Sequence, residues 1–281
     1  MDSFKMKGDM RSLRFEMLAD HANDDMEDIN PFLKRIKVDL YRQSLHNRMS
    51  FTIIDLLNSR FSLNISAFKD CFTFDCIKTD EGVDNWNGLY PLIHTDDLEF
   101  YCESDLLGYY YLMNLSAEEQ KYFQMIYTLR LKDKKHNYKV YLIRIYVLLC
   151  DKKGHPRLMI AETIQLPFCN ANEEFQPYRQ YCLVSEKSHE ITKHFDAYNS
   201  NELTKMEMQV LKLRSADNSI KITADLLNIT PKKVQKLSTE IIKRLNTSNI
   251  SETSYLARLM RMFTYLLMGC HEGMGFMICD L

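Results

Sequence analysis

Apolar positions such as Phe15 and Leu18, then Phe32, Leu33, Ile36 and Leu40, recur at three-to-four spacing, which predicts helices over residues 1 to about 45. Asn30-Pro31 interrupts that region and starts a second helix, with the proline in its first turn. From Phe51 the pattern changes to short strands, Phe51 to Ile54 and Phe61 to Ile65, joined by DLLNSR. A helical middle follows. Three longer β-rich runs come next: Tyr122 to Leu131, Tyr138 to Cys150 and Arg157 to Leu166. Their links, KDKKHN and DKKGHP, are polar and turn-forming, so the three strands read as an antiparallel meander. After CNANEEFQPYRQY, the stretch EKSHEITKHFDAYNSNE reads as a polar, partly helical linker, with a domain boundary near Ser200.

Beyond the boundary the helical period returns. In LTKMEMQVLKL, Thr204 is a good N-cap and Glu207 stands three residues on, the spacing of a capping box. A second helix covers about Ile220 to Leu227. Asn228-Ile229-Thr230 then makes a turn, and Thr230-Pro231 caps and opens a third helix running to about Asn246. On that third helix Val234, Ile241 and Leu245 fall within about forty degrees of one another, while Lys232, Lys236, Thr239 and Lys243 lie opposite. Two helices joined by a tight turn, the second with a basic face, have the geometry that enters a DNA major groove. The same pattern also suits a solvated lysine face on an ordinary packed helix. A fourth helix is expected from about Glu252 to Met268, capped by Ser251. It carries two apolar stripes, one of Tyr255, Leu259, Met262 and Leu266, the other of Leu256, Met260, Phe263 and Leu267. One stripe packs the helix on its neighbours, and the other is left for a partner, the tail or the preceding domain.

Composition narrows the class. The 281 residues, 46% hydrophobic and 26% charged, suit a globular protein of two domains. No long uncharged apolar run and no apolar leader stand in the sequence, so a cytoplasmic location is expected. The eight cysteines are scattered; Cys71 and Cys76, five apart, match neither a zinc pair nor a redox motif. The net charge of -2 hides an asymmetry: residues 201 to 268 hold eleven Lys/Arg against six Asp/Glu, on an acidic N-terminal body. A basic module of this kind hints at nucleic acid.

The C-terminal stretch resembles the LuxR-type helix-turn-helix family. Leu203, Thr204, Glu207, Val210, Leu211, Ser219, Lys221, Ala224, Leu227, Ile229, Val234, Ile241 and Leu245 match its pattern in ungapped register. Met206, Asp217, Thr223, Lys233 and Leu237 depart from the family's usual Arg, Gly, Ile, Thr and His. The resemblance implies a four-helix domain that binds double-stranded DNA as a homodimer paired through its fourth helix. By position it makes Lys232, Lys233, Gln235, Lys236 and Thr239 the DNA-facing residues; Lys243 joins them on the basic face, and Tyr255, Leu256, Leu259, Met260 and Phe263 on the stripes of the fourth helix are the expected dimer contact. The lysines would neutralise phosphates, and Gln235 is placed to pair with adenine or to serve only as surface.

Residues 46–168 resemble a PAS sensor domain, with two strands, a helical middle and a three-stranded meander; PLIHTDDLEFY is similar to the I-H-P-x-D stretch of such domains. The resemblance implies a pocket for an unidentified small-molecule ligand. His94 is a candidate haem ligand but is read as a structural residue at a helix start; Trp86 and the run Tyr109, Tyr110, Tyr111 are read as packing. The cysteine motif of flavin-binding relatives is absent, and no cofactor is expected. Walker, dinucleotide-binding, Gly-x-Ser-x-Gly and His-Glu-x-x-His motifs are absent too, so no enzyme is expected.

The expected fold is α+β. It comprises an N-terminal helical segment (1–45), a PAS-like antiparallel sheet domain (46–168), a linker (169–200), an all-α four-helix LuxR-type helix-turn-helix domain (201–268) and a tail (269–281). The expected function is transcriptional regulation. The alternative is a signalling adaptor whose helix-turn-helix binds protein.

Overall fold

The computed structural model describes residues 29–56, 60–66, 89–133, 135–151, 154–172, 174–185, 191–195, 203–260 and 262. The helices expected before residue 29 lie outside them. Helix α1 (Asn30–Asn47) starts with Pro31 in its first turn, as expected, and stops where Arg48 turns left-handed at φ 51°. Strands β1 (Met49–Asp55) and β2 (Arg60–Ser66) follow. Then come a short 3-10 turn (Tyr90–Leu92), helix α2 (Thr95–Met113) and the single turn α3 (Ala117–Gln120). The meander is β3 (Phe123–Lys132), β4 (Tyr138–Cys150) and β5 (Pro156–Gln165). Its first link is tied by Asp133, whose carboxylate accepts the N–H groups of Lys135 and Asn137 at 2.8 and 2.9 Å. Among the described residues no helix is long and apolar enough to cross a membrane.

The strands form one antiparallel sheet in the order β2-β1-β5-β4-β3-β6-β7. The last two are a correction. Residues 169–200 were expected as a linker, but Arg179–Val184 (β6) and Ile191–Phe195 (β7) extend the sheet beyond β3. The charge of Arg179 disguised a buried strand, because its partners are far away in sequence. Arg179 donates to the Glu103 carboxylate at 2.8 Å, and the Tyr181 hydroxyl donates to the Ser104 carbonyl at 2.6 Å. Both partners lie on α2.

Alternation along the strands separates two cores. On one face Met125, Tyr127, Leu129, Tyr141, Ile143, Ile145, Met159 and Tyr181 pack beneath Tyr101, Tyr109 and Leu112 of α2. The other face is shared. Leu40 of α1 covers Phe51, Ile53, Leu158 and Ile160. A second apolar cluster runs from Ile126, Val140, Leu142 and Cys182 into the C-terminal helices.

Gly108 marks the closest approach of α2 to the sheet: a Cβ there would stand 1.9 Å from Met125 Sδ and 3.1 Å from Tyr181 Cε1. Met125 and Tyr181 are both fully buried and have little room to retreat. Gly108→Val is therefore expected to destabilise the protein by about 1–3 kcal/mol, read from the midpoint of urea unfolding.

Candidate nucleic-acid interface

Four helices make up the C-terminal unit: α4 (Lys205–Ser215), α5 (Ile220–Leu227), α6 (Pro231–Arg244) and α7 (Ile250–Leu259). Each start is fixed by a side chain that satisfies a helix N–H. The box at α4 has both its bonds: Glu207 N–H donates to Thr204 Oγ1 at 3.2 Å, and Thr204 N–H to Glu207 Oε2 at 2.7 Å. Buried Glu207 also accepts from Arg244 at 2.8 Å, which ties the start of α4 to the end of α6.

Ser219 caps α5 and Thr230 caps α6, where Pro231 occupies the first turn. Asn228 turns left-handed at φ 55° to end α5. Asp217, at the family's glycine position, has φ 57°, a conformation that a short acidic side chain tolerates.

With its ends set, α6 buries Val234 and Ile241 completely and Leu245 nearly so. Lys232, Lys233, Gln235, Lys236, Thr239 and Lys243 are all exposed. The structure thus brings every expected DNA-facing residue onto the open side of one helix. Lys236 stands 3.7 Å from Glu240, but both are largely in water, so the pair holds the lysine weakly. Thr239 Oγ1 donates to its own helix, at Gln235 O.

The fourth helix differs from expectation at both its start and its face. Its cap is Asn249, whose Oδ1 accepts Glu252 N–H at 3.0 Å, not Ser251. Leu256 (2% exposed) and Met260 (0%) point into their own unit, so these two of the five expected dimer contacts are core. The helix turns Tyr255 outward, half-exposed with its ring edge-on to Phe168. Leu259 is half-buried, and its carbonyl accepts Arg144 Nη2 of β4 at 2.7 Å. Phe263 lies outside the described residues.

Sequence reasoning missed that last bond and its support. Arg144 is also held by Glu162 at 2.9 Å, and Glu162 by the Tyr146 hydroxyl at 2.7 Å. Nothing local signals such a bond, since Arg144 and Leu259 are far apart in sequence.

No family model matches the chain, and no curated protein does. Solved structures give weak overlays. A Vibrio cholerae VqmA dimer, described as a LuxR-type receptor without its target DNA, has 12% identity over 81% of this chain and 87% of its own, with a TM-score of 0.28. A phage VqmA–DPO complex has 11% identity over 83% and 91%, with a TM-score of 0.29. Escherichia coli SdiA has 13% identity over 88% and 96%, with a TM-score of 0.25. At TM-scores this low the overlays carry no argument about this chain.

In the sheet unit, a cavity of about 20 Å³ remains between sheet and α2, room for about one water. His94 has a structural job: its Nδ1 caps α2 by accepting Asp96 N–H, and its ring packs edge-on against Tyr138 at 4.5 Å. Of the tyrosine run, Tyr109 is buried, Tyr111 packs on Tyr181 and Phe195, and Tyr110 is exposed. Trp86, Cys71 and Cys76 lie outside the described residues. Among those residues no group of three His, Cys, Asp or Glu is placed to hold a metal.

Proposed function

We propose that this protein is a cytoplasmic transcriptional regulator that binds duplex DNA as a homodimer through a LuxR-type helix-turn-helix. The observation that carries the reading is α6, the second helix of a tight pair. It is held rigidly by Val234, Ile241 and the Arg244–Glu207 bond, and it offers four lysines, a glutamine and a threonine on one open side. A helix of this kind fits a major groove, with the lysines reaching phosphates and Gln235 a base edge.

The sheet unit is the sensor in this reading, with a PAS-like succession of two strands, a helix and a meander. Its ligand is apolar or weakly polar in this reading, because the cavity lining is aliphatic apart from Thr52, Thr163, Tyr101 and Tyr127 and the aromatic Phe61, and admitting anything larger than a water requires the gap between sheet and α2 to widen.

Lys236→Ala tests the reading. Each lost phosphate contact lowers the slope of log affinity against log salt by about 0.9. The variant is expected to bind duplex DNA more weakly with a shallower slope and unchanged unfolding. An unchanged slope counts against this face. The adaptor reading is favoured by one observation, the exposed apolar pair Ile222 and Leu226 on α5. An absence of mobility shift with genomic fragments, together with capture of a protein by wild type but not by Leu226→Ser, would favour it.

A further inference from the structure

Helix α1 is apolar on two sides. One side covers the sheet: Leu40 and Ser44 are buried, and Phe32, Leu33 and Ile36 pack on the same cluster. On the other side Val38, Tyr41 and Leu45 recur at three-to-four spacing and are 54%, 51% and 49% exposed. Single apolar residues on a surface are ordinary, but three in one stripe along a helix mark an interaction surface.

Charge defines the kind of partner. Lys34, Arg35, Lys37 and Arg42 lie exposed around the stripe, and Asp39, the one acidic residue of the helix, already stands 3.5 Å from Arg42. A second copy of α1 on this stripe would set like charges together in either direction. An antiparallel pair centred on Tyr41 puts Lys34 opposite Arg48, and a parallel pair puts each charge opposite itself. Such juxtaposition opposes binding. The surface fits an acidic amphipathic segment instead.

The sequence carries one next to it. Residues 15–28, FEMLADHANDDMED, hold six carboxylates and no Lys or Arg. Phe15, Leu18, Ala22 and Met26 repeat there at the spacing of the stripe. These residues lie outside the described ones. We propose that this segment of the same chain docks along α1 as an antiparallel helix, its apolar positions on Val38, Tyr41 and Leu45 and its acidic charge toward the surrounding bases. Reach allows it: a helix from Asp28 back to Phe15 spans about 20 Å, and α1 from Asn30 to Leu45 about 23 Å. The direct connection through Ile29 gives an effective concentration on the order of millimolar, enough to keep a weak contact formed. Nothing in this assignment depends on the reading of α6.

The test treats the full-length protein with a glutamate-specific protease and times cleavage after Glu16 by mass spectrometry. Where opening is fast relative to cleavage, the rate follows the undocked population. Lys37→Glu with Arg42→Glu alters exposed side chains only and is expected to speed cleavage about fivefold or more. Tyr41→Ser with Leu45→Ser should do the same by removing the apolar contact. Adding Asp20→Lys and Asp25→Lys to the glutamate pair should bring the rate back toward wild type, which a mere disturbance of α1 would not allow. Equal rates in wild type and both α1 variants, or a fast rate that the added lysines leave unchanged, would overturn the proposal. A rate that slows as protein concentration rises would place the segment on a second copy and overturn the docking within one chain.

Discussion

Asp97→Ala is expected to destabilise the sheet unit by about 3–5 kcal/mol, a large share of the stability of an ordinary domain. Asp97 is 0% exposed and stands in the first turn of α2. Its Oδ1 accepts Arg130 Nη2 at 2.6 Å, and its Oδ2 accepts the Arg130 backbone N–H at 2.8 Å, so one carboxylate ties the helix to both side chain and backbone of β3. Arg130 is itself 2% exposed, donates to Asn172 O at 3.0 Å and lies over the Phe175 ring. Burial alone would lower its pKa, but the bonds and charge of Asp97 outweigh burial and raise it. The alanine variant leaves a buried guanidinium uncompensated and orphans a strand N–H. The first cost vanishes if both charges go, so Asp97→Leu combined with Arg130→Met should recover that part of the loss and leave the cost of the orphaned N–H at residue 130. A double-mutant cycle in urea reads this coupling. A single variant within 1 kcal/mol of wild type would contradict the burial described for this pair.

Met260→Glu is expected to be as damaging in the C-terminal unit. Met260 is 0% exposed and sits with Leu256 and Ala257 in the contact between α7 and the other helices. A carboxylate there is desolvated with no partner at hand, which costs about 3–5 kcal/mol. Cooperative unfolding of the helices and DNA affinity should fall together, whatever the oligomeric state. Tyr255→Glu is the contrasting variant. Its site is exposed, and its stability should stay within about 0.5 kcal/mol of wild type. Sedimentation of Tyr255→Glu therefore reports on self-association without unfolding. Wild-type stability in Met260→Glu would place α7 on the wrong face.

These two sites show what the sequence discloses and what it hides. Caps are local, so Thr204 with Glu207 and Thr230 with Pro231 were legible from spacing alone. The lysine face of α6 was legible too, since charge and apolar residues separate cleanly at helical period. On α7 both stripes are apolar, and period cannot say which one faces inward. Leu256 and Met260 were thus assigned to a partner when they belong to the core. Strands β6 and β7 were hidden for another reason. Short strands rich in Arg, Gln, Lys and Thr look like linker until distant neighbours on α2 and β3 are known.

The strands at the sheet edge also change the mechanics of the whole chain. A linker over 169–200 would be a leash reaching roughly 110 Å when taut. With β7 ending at Phe195 and α4 capped by Thr204, only residues 196–203 join the two units, a span of about 30 Å at most. A half-site on DNA recurs about every 34 Å along one face of the duplex. In the proposed dimer, two heads joined through stretches this short would be placed by the bodies that carry them. The separation of operator halves would then be written in how two sheet units sit together, and a signal that turned one against the other would be felt on DNA as a change of spacing.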